Sequence, residues 1–315
     1  MGDVIAHRIT AGKFRRYHKR GWRSRLLDWR TPLLNFRDIF RTIFGVLQSA
    51  WLLIRLRPDC IFIKGGYVGL PVGLAARMLH IPFLIHESDS VPGLANRVLG
   101  RLTPHRVSGF DVPGYQNIGN PVRGDILHAR NVDPGLFGIT SIKPVVLAFG
   151  GSLGSSFLNR AVADLAQQTA EYEIIHITGG EKIEFEAAHY HQYEFLSGLM
   201  ADALWLSDVV IARGGANTLA ELAALKKPSI IVPHPRLSGD HQSKNAEAMA
   251  REDAVVLIRQ DQLDAGTLIA AIQGVLDPIK KRKMTDNIAH FARSGSAEEI
   301  AAKLLSIAPS GAGEG

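Results

Sequence analysis

Val145-Val146-Leu147-Ala148-Phe149-Gly150-Gly151-Ser152-Leu153-Gly154 is the stretch that decides the fold. Five apolar residues in a row read as a short strand buried on both faces, the pattern of a parallel sheet. Glycines at 150, 151 and 154 end that strand, and residues 156–168 follow with the spacing of a helix. Strand, glycine turn and helix in direct succession let a backbone approach a guest closely, beside free N–H groups and the positive end of a helix dipole. A diphosphate suits such a junction, with the Ser152 hydroxyl as a further donor. A tight turn without a ligand fits the same residues.

The pattern repeats outward. Residues 173–178, 208–212, 229–232 and 255–258 read as strands, and 218–225, 245–252 and 296–306 as helices. Ser296 is placed to cap the last helix, with Glu298 and Glu299 in its first turn. A second strand-to-helix junction is Arg213-Gly214-Gly215-Ala216-Asn217-Thr218, with Glu221 about one turn into the helix, where a carboxylate can accept from both ribose hydroxyls. A third polar loop runs through His234, Asp240, His241 and Gln242 to Asn245. The Gln242 amide offers donors and acceptors together, which suits sugar hydroxyls. His234 and His241 have only Asp240 beside them, so no metal is expected.

Upstream, residues 36–57 read as a helix, 60–64 as a strand, Gly65-Gly66-Tyr67 as a turn, 72–79 as a helix, 83–86 as a strand and 92–102 as a short helix. Residues 127–143 read as a linker. The whole is α/β, two doubly wound halves with a ligand cleft between them. The expected domains are 1–134 and 135–308, with a disordered tail at 309–315. In the first half His86-Glu87-Ser88-Asp89 follows a strand; His86 and Glu87 are candidates for a general base, or residues that only order the loop. Arg123 stands at another strand end, able to meet a phosphate or steady a hinge.

Composition sets the limits. The chain has 315 residues, 46% hydrophobic and 21% charged, ordinary for a globular protein. The single cysteine, Cys60, excludes an internal disulfide and is read as a buried thiol. The net charge of +6 is uneven: about +10 falls in residues 1–58 and about −4 in the rest. The basic run from Lys13 through Arg15, Arg16, Lys19, Arg20, Arg23 and Arg25 to Arg30 adjoins an amphipathic helix, a pairing suited to an anionic membrane surface. A solvated basic face is the plainer alternative. No nucleic-acid motif is present. Residues 43–56 are too short and too interrupted to span a bilayer.

Seven segments in order resemble the MurG family: Lys64-Gly65-Gly66-Tyr67-Val68, Ile81-Pro82 through His86-Glu87, Pro92-Gly93-Leu94-Ala95-Asn96, Gly119-Asn120-Pro121-Val122-Arg123, Gly150-Gly151-Ser152-Leu153-Gly154, Arg213-Gly214-Gly215-Ala216 to Glu221, and Asp240-His241-Gln242 to Asn245. The resemblance implies a GT-B fold and an inverting transfer of N-acetylglucosamine from UDP-N-acetylglucosamine to the 4-hydroxyl of the N-acetylmuramoyl unit of lipid I. The product is lipid II, so the implied process is peptidoglycan synthesis, with cell shape and division. It implies no cofactor, and a peripheral place on the cytoplasmic face of the membrane. By position, Ser152 meets the diphosphate and Arg123 the donor. Leu196 makes a backbone contact to uracil. Ala216, Asn217, Thr218, Leu219, Ala220 and Glu221 hold the nucleotide, with Glu221 on the ribose, and Gln242 contacts the sugar. Asp89 stands where the family usually has Asn.

The family opens with a strand and a Gly-Gly-Thr-Gly-Gly-His loop that supplies a catalytic histidine. This chain has no such motif, and its first domain is read as starting roughly two strand–helix units in, on the order of 60 residues. Donor binding is expected to survive that difference better than catalysis. The competing readings are another GT-B enzyme, such as a UDP-sugar epimerase or a glycolipid synthase, and a non-catalytic nucleotide-sugar or membrane-surface binding module.

Overall fold

The computed structural model describes residues 5–13, 30–128, 131–151, 154–235 and 240–309. Ser152, the basic residues between 14 and 29 and the tail from 310 lie outside these. The chain divides into two compact units, Met1–Ile118 with Ala297–Gly315, and Gly119–Ser296. The boundary thus falls at residue 118 rather than at 134, and the terminal helix belongs to the first unit rather than the second.

In the first unit, helix α1 (Arg30–Leu56) leads to β1 (Ile61–Ile63), α2 (Gly66–Met78), β2 (Phe83–Glu87), α3 (Leu94–Leu99), β3 (Arg106–Ser108) and β4 (Gln116–Asn117). The strands are all parallel and lie in the order β1-β2-β3-β4, with Ile61 opposite Phe83 and Ile85 opposite Arg106. The described order runs one way only, one half of a doubly wound sheet. Helix α2 begins at Gly66, six residues before the expected start at 72. Gly65 and Gly66, at φ 85° and 78°, turn the chain at once after the strand. Pro71 sits inside the helix, where it removes one hydrogen bond without ending it. Cys60 is only half-buried.

Helix α1 inverts the usual distribution of a surface helix. Its buried positions include Asp38, Thr42 and Ser49, while Phe36, Phe40, Phe44, Leu47, Trp51 and Ile54 are exposed. Burial of the hydroxyls is tolerated because Thr42 Oγ1 donates to Asp38 O (2.8 Å) and Ser49 Oγ to Gly45 O (2.7 Å). The segment 5–13 adds a hydrogen bond from Thr10 N to Gln48 Oε1 of this helix (2.9 Å). Contrary to the expectation from residues 43–56, Leu34–Leu56 is long and apolar enough to cross a membrane by length and composition.

The second unit starts with the short α4 (Gly124–Leu127) and a 3-10 turn at Pro134–Phe137, inside the expected linker. Then come β5 (Val145–Phe149), α5 (Ser156–Gln168), β6 (Glu173–Ile177), β7 (Tyr190–Tyr193), α6 (Met200–Leu206), β8 (Val209–Ala212), α7 (Ala216–Ala224), β9 (Ser229–Ile231), α8 (His241–Ala250), β10 (Val256–Leu257), α9 (Ala265–Leu276) and α10 (Pro278–Ala289). The strand order β10-β9-β8-β5-β6-β7, all parallel, reverses between β5 and β8. That is the doubly wound order, with its switch point beside the strand that opened the reading. The β5, β6 and β8 residues are buried throughout, which accounts for their unbroken apolar runs.

The last helix, α11 (Ser296–Ile307), closes the first unit: Ile300, Leu304 and Ile307 pack on Leu84, Val107 and Ile118. Ser296 is its first residue rather than its cap, and its hydroxyl donates to Arg293 O (2.9 Å). Truncating a buried isoleucine costs about 3 kcal/mol. Ile300→Ala is therefore expected to speed amide exchange at Leu84 and Val107 while the β5 amides keep their protection, as read by hydrogen–deuterium exchange.

Candidate functional site

The glycine turn after β5 is built by close backbone approach. Gly154 has φ 66°, and a Cβ there would stand 2.4 Å from Thr178 O, so the turn leans on the exit of β6. Ser155 caps α5, its hydroxyl accepting from Leu158 N (3.3 Å). The strand–turn–helix expected at 145–168 is thus present, with the α5 N-terminus at the switch point.

The second junction lies beside it. A Cβ on Gly214 would fall 2.4 Å from Gln242 O, so only glycine lets the 213–215 turn and the start of α8 pack backbone on backbone. Asn245, wholly buried, donates from Nδ2 to Gly214 O (3.2 Å). Gln242 Oε1 accepts from His234 N (3.0 Å), which ties down the acceptor end of the amide and leaves its NH₂ for a ligand. Helix α7 has no side-chain cap, and Ala216, Asn217 and Thr218 make up its first turn. Leu219 has a buried side chain, and its N–H bonds Gly215 O (2.9 Å). Ala220 follows in the same helix, and Leu196 lies in the turn after β7.

Glu221 and Arg123, expected as separate contacts, meet at 3.5 Å (Nε to Oε1), and Asp125 stands 3.8 Å from the same Nε. Burial raises the Glu221 pKa above the carboxylate range; Arg123 opposes that shift and Asp125 adds to it. A guest ribose would take the Glu221 oxygens in competition with this ion pair.

A cavity of about 410 Å³ opens at the strand exits. It is lined by Gly154, Ser155, Thr178, Glu181, Arg213 and Gln260 among others, and by none of Leu196, Ala216 to Glu221 or Gln242. Beneath its wall runs a buried polar chain that sequence reading missed. Asn159 Nδ2 donates to Thr178 O (2.9 Å) and to Glu181 Oε2 (2.7 Å). Its Oδ1 faces His176 Nε2 (3.1 Å), and His176 Nδ1 faces the Tyr190 hydroxyl (2.7 Å). The pattern suits a neutral imidazole protonated at Nε2, accepting from the tyrosine at Nδ1. Burial pushes the His176 pKa down to about 4 and that of Tyr190 upward.

In the first unit, His86 and Glu87 are both buried. His86 is wholly buried, stacked edge-on against Phe62. The Glu87 carboxylate accepts from Asp89 N (3.1 Å), Gly93 N (2.9 Å) and Asn96 Nδ2 (2.9 Å), so its lone pairs hold the loop into α3. Asp89 is half-buried within that loop.

Two units built on parallel sheets, the second doubly wound with a helix N-terminus at its switch point, define the chain as a GT-B glycosyltransferase-type protein. The sequence matches the glycosyltransferase family 28 N-terminal domain over residues 28–106 and the family 28 C-terminal domain over residues 145–301. It is 33% identical over 299 residues to a Legionella pneumophila (strain Paris) protein named UDP-N-acetylglucosamine--N-acetylmuramyl-(pentapeptide) pyrophosphoryl-undecaprenol N-acetylglucosamine transferase, covering 90% of this chain and 78% of that one. A Lachnospira eligens protein of the same name is 33% identical over 280 residues, covering 84% and 75%. The crystal structure of Acinetobacter baumannii MurG superposes with a TM-score of 0.70 at 25% identity, covering 85% of this chain and 79% of that one. The chain belongs to the MurG family within glycosyltransferase family 28.

The buried histidine sets a pH dependence. An unfolded histidine binds its proton near 6.5 and the buried one only near 4. Between these values the unfolded chain holds the extra proton, so this residue drains stability as pH falls through the window, by up to about 3 kcal/mol. His176→Gln, which keeps a donor and an acceptor, is expected to lose less stability from pH 6.5 to 4 than the wild type in urea denaturation.

Proposed function

We propose that this chain transfers N-acetylglucosamine from UDP-N-acetylglucosamine to lipid I. The acceptor 4-hydroxyl forms a bond to the anomeric carbon from the face opposite the departing diphosphate. The C1–O bond to UDP breaks with inversion, UDP leaves as the anion, and the hydroxyl proton passes to a base. The products are lipid II and UDP. The observation that carries the reading is the pair of strand-to-helix junctions at one switch point, 150–155 and 213–221, in a chain of this family. The first supplies a helix N-terminus and Ser152 for the diphosphate, the second the N-terminal turn of α7 and the Glu221 carboxylate for the nucleoside. The Gln242 NH₂ is the sugar contact, Leu196 gives its backbone to uracil, and Arg123 moves from Glu221 to the donor. Neither His86 nor Glu87 is retained as the base.

The exposed aromatic stripe of α1 supports a peripheral seat on the cytoplasmic leaflet, with the basic residues from Lys13 toward Arg30 drawn to anionic headgroups. A joint Phe44→Glu and Trp51→Glu substitution is expected to abolish co-sedimentation with phosphatidylglycerol vesicles. Retained binding would remove α1 from this role.

The reading is tested by calorimetric titration with UDP-N-acetylglucosamine and a turnover assay with a lipid I analogue. Binding with transfer supports it, and absence of binding by the folded chain refutes it. Glu221→Ala is expected to weaken UDP binding by about tenfold or more, through loss of two hydrogen bonds to a charged acceptor. Unchanged affinity would remove Glu221 from the ribose.

A further inference from the structure

Arg213 follows β8 and is 6% exposed. Its guanidinium donates from Nη1 to Val232 O (2.9 Å) and to Gln260 Oε1 (3.1 Å), and from Nη2 to Ser155 Oγ. These partners come from the exit of β9, from the turn after β10 and from the cap of α5, so one planar group fixes three segments around the switch point. All three acceptors are neutral. Buried charges are ordinarily paired with an opposite charge, because burying an isolated ion costs far more than three neutral hydrogen bonds return. No carboxylate among the described residues pairs with Arg213. Glu181 lines the same cavity, but it is exposed and its Oε2 is held by Asn159 (2.7 Å). Of the five N–H groups of an arginine, three are used, which leaves two uncommitted.

We propose that Arg213 is the positioning residue for the donor's diphosphate: through Ser155 it holds the α5 N-terminus in place, and its unpaired charge adds to the helix dipole in favouring an anion there. This rests on the donor reading above. A positive charge buried behind a helix N-terminus strengthens the field at the phosphates in a region of low dielectric, without needing to touch them. The fork also explains the choice of arginine, since a lysine carries the charge but cannot reach three acceptors in one plane.

The test is titration of the full chain with uridine, UMP and UDP, comparing wild type with R213M and R213K. In the wild type each added phosphate is expected to tighten binding. In R213M the affinity for UDP is expected to fall about tenfold or more while that for uridine is nearly unchanged, and R213K is expected to recover part of the loss. Equal loss across the three ligands marks a purely structural arginine and overturns the proposal, as does unchanged UDP affinity. If circular dichroism shows R213M unfolded, R213K decides: a UDP-to-uridine affinity ratio equal to wild type overturns the proposal, and a reduced ratio supports it. A wild-type chain that binds UDP no better than uridine refutes the donor reading itself, before any variant is compared.

Discussion

The pairing of β5 with β8 is the constraint from which the rest of the second unit follows. Their register, from Val146 opposite Val209 to Phe149 opposite Ala212, brings two strand exits side by side although more than 50 residues separate them in sequence. Each exit then turns into a helix, and glycines let the turns pack closely: Gly154 lets its turn rest on the exit of β6, and Gly214 lets its turn rest on the start of α8. The N-termini of α5 and α7 therefore emerge as neighbours, a geometry that neither junction has alone.

Polar groups at these exits are held by neutral hydrogen bonds more than by ion pairs. Asn159, His176 and Tyr190 form one buried chain, and Asn245 spans two loops. Each of these four side chains has a defined partner, and leaving one unmet would cost more than the bond itself contributes. The result is a rigid floor beneath turns that must present backbone N–H groups in fixed directions. The first unit solves the same problem differently, with the Glu87 carboxylate collecting three donors to fix one loop.

The sheet strands 145–149, 173–177 and 209–212 were legible because strands covered on both faces leave unbroken apolar runs. The glycine junctions were legible because their residue types are imposed by backbone distance. Helices α9 and α10 passed unread, although Asp264 caps the first (2.7 Å to Thr267 N) and Asp277 with Pro278 opens the second. The strands β3, β4 and β7 are short or half-buried and carry little periodicity. The attachment of α11 to the first unit was not legible, because nothing in a helix's own residues says which sheet it will cover. Nor was the burial of His86 and Glu87 legible: residues at a strand exit look alike in sequence whether they face a ligand or a loop. Arg123 and Glu221 were singled out separately, and only the fold joins them.

The return of α11 to the first unit has a topological consequence. The second unit is an insertion within the first, and its two ends lie together: a Cβ on Gly119 would stand 2.6 Å from Ser296 Oγ. A segment that enters and leaves at one point can be exchanged as a cassette without moving the sheet that receives it. Such an architecture allows residues 119–296 to be exchanged among related chains while the host sheet and its covering helix stay as they are.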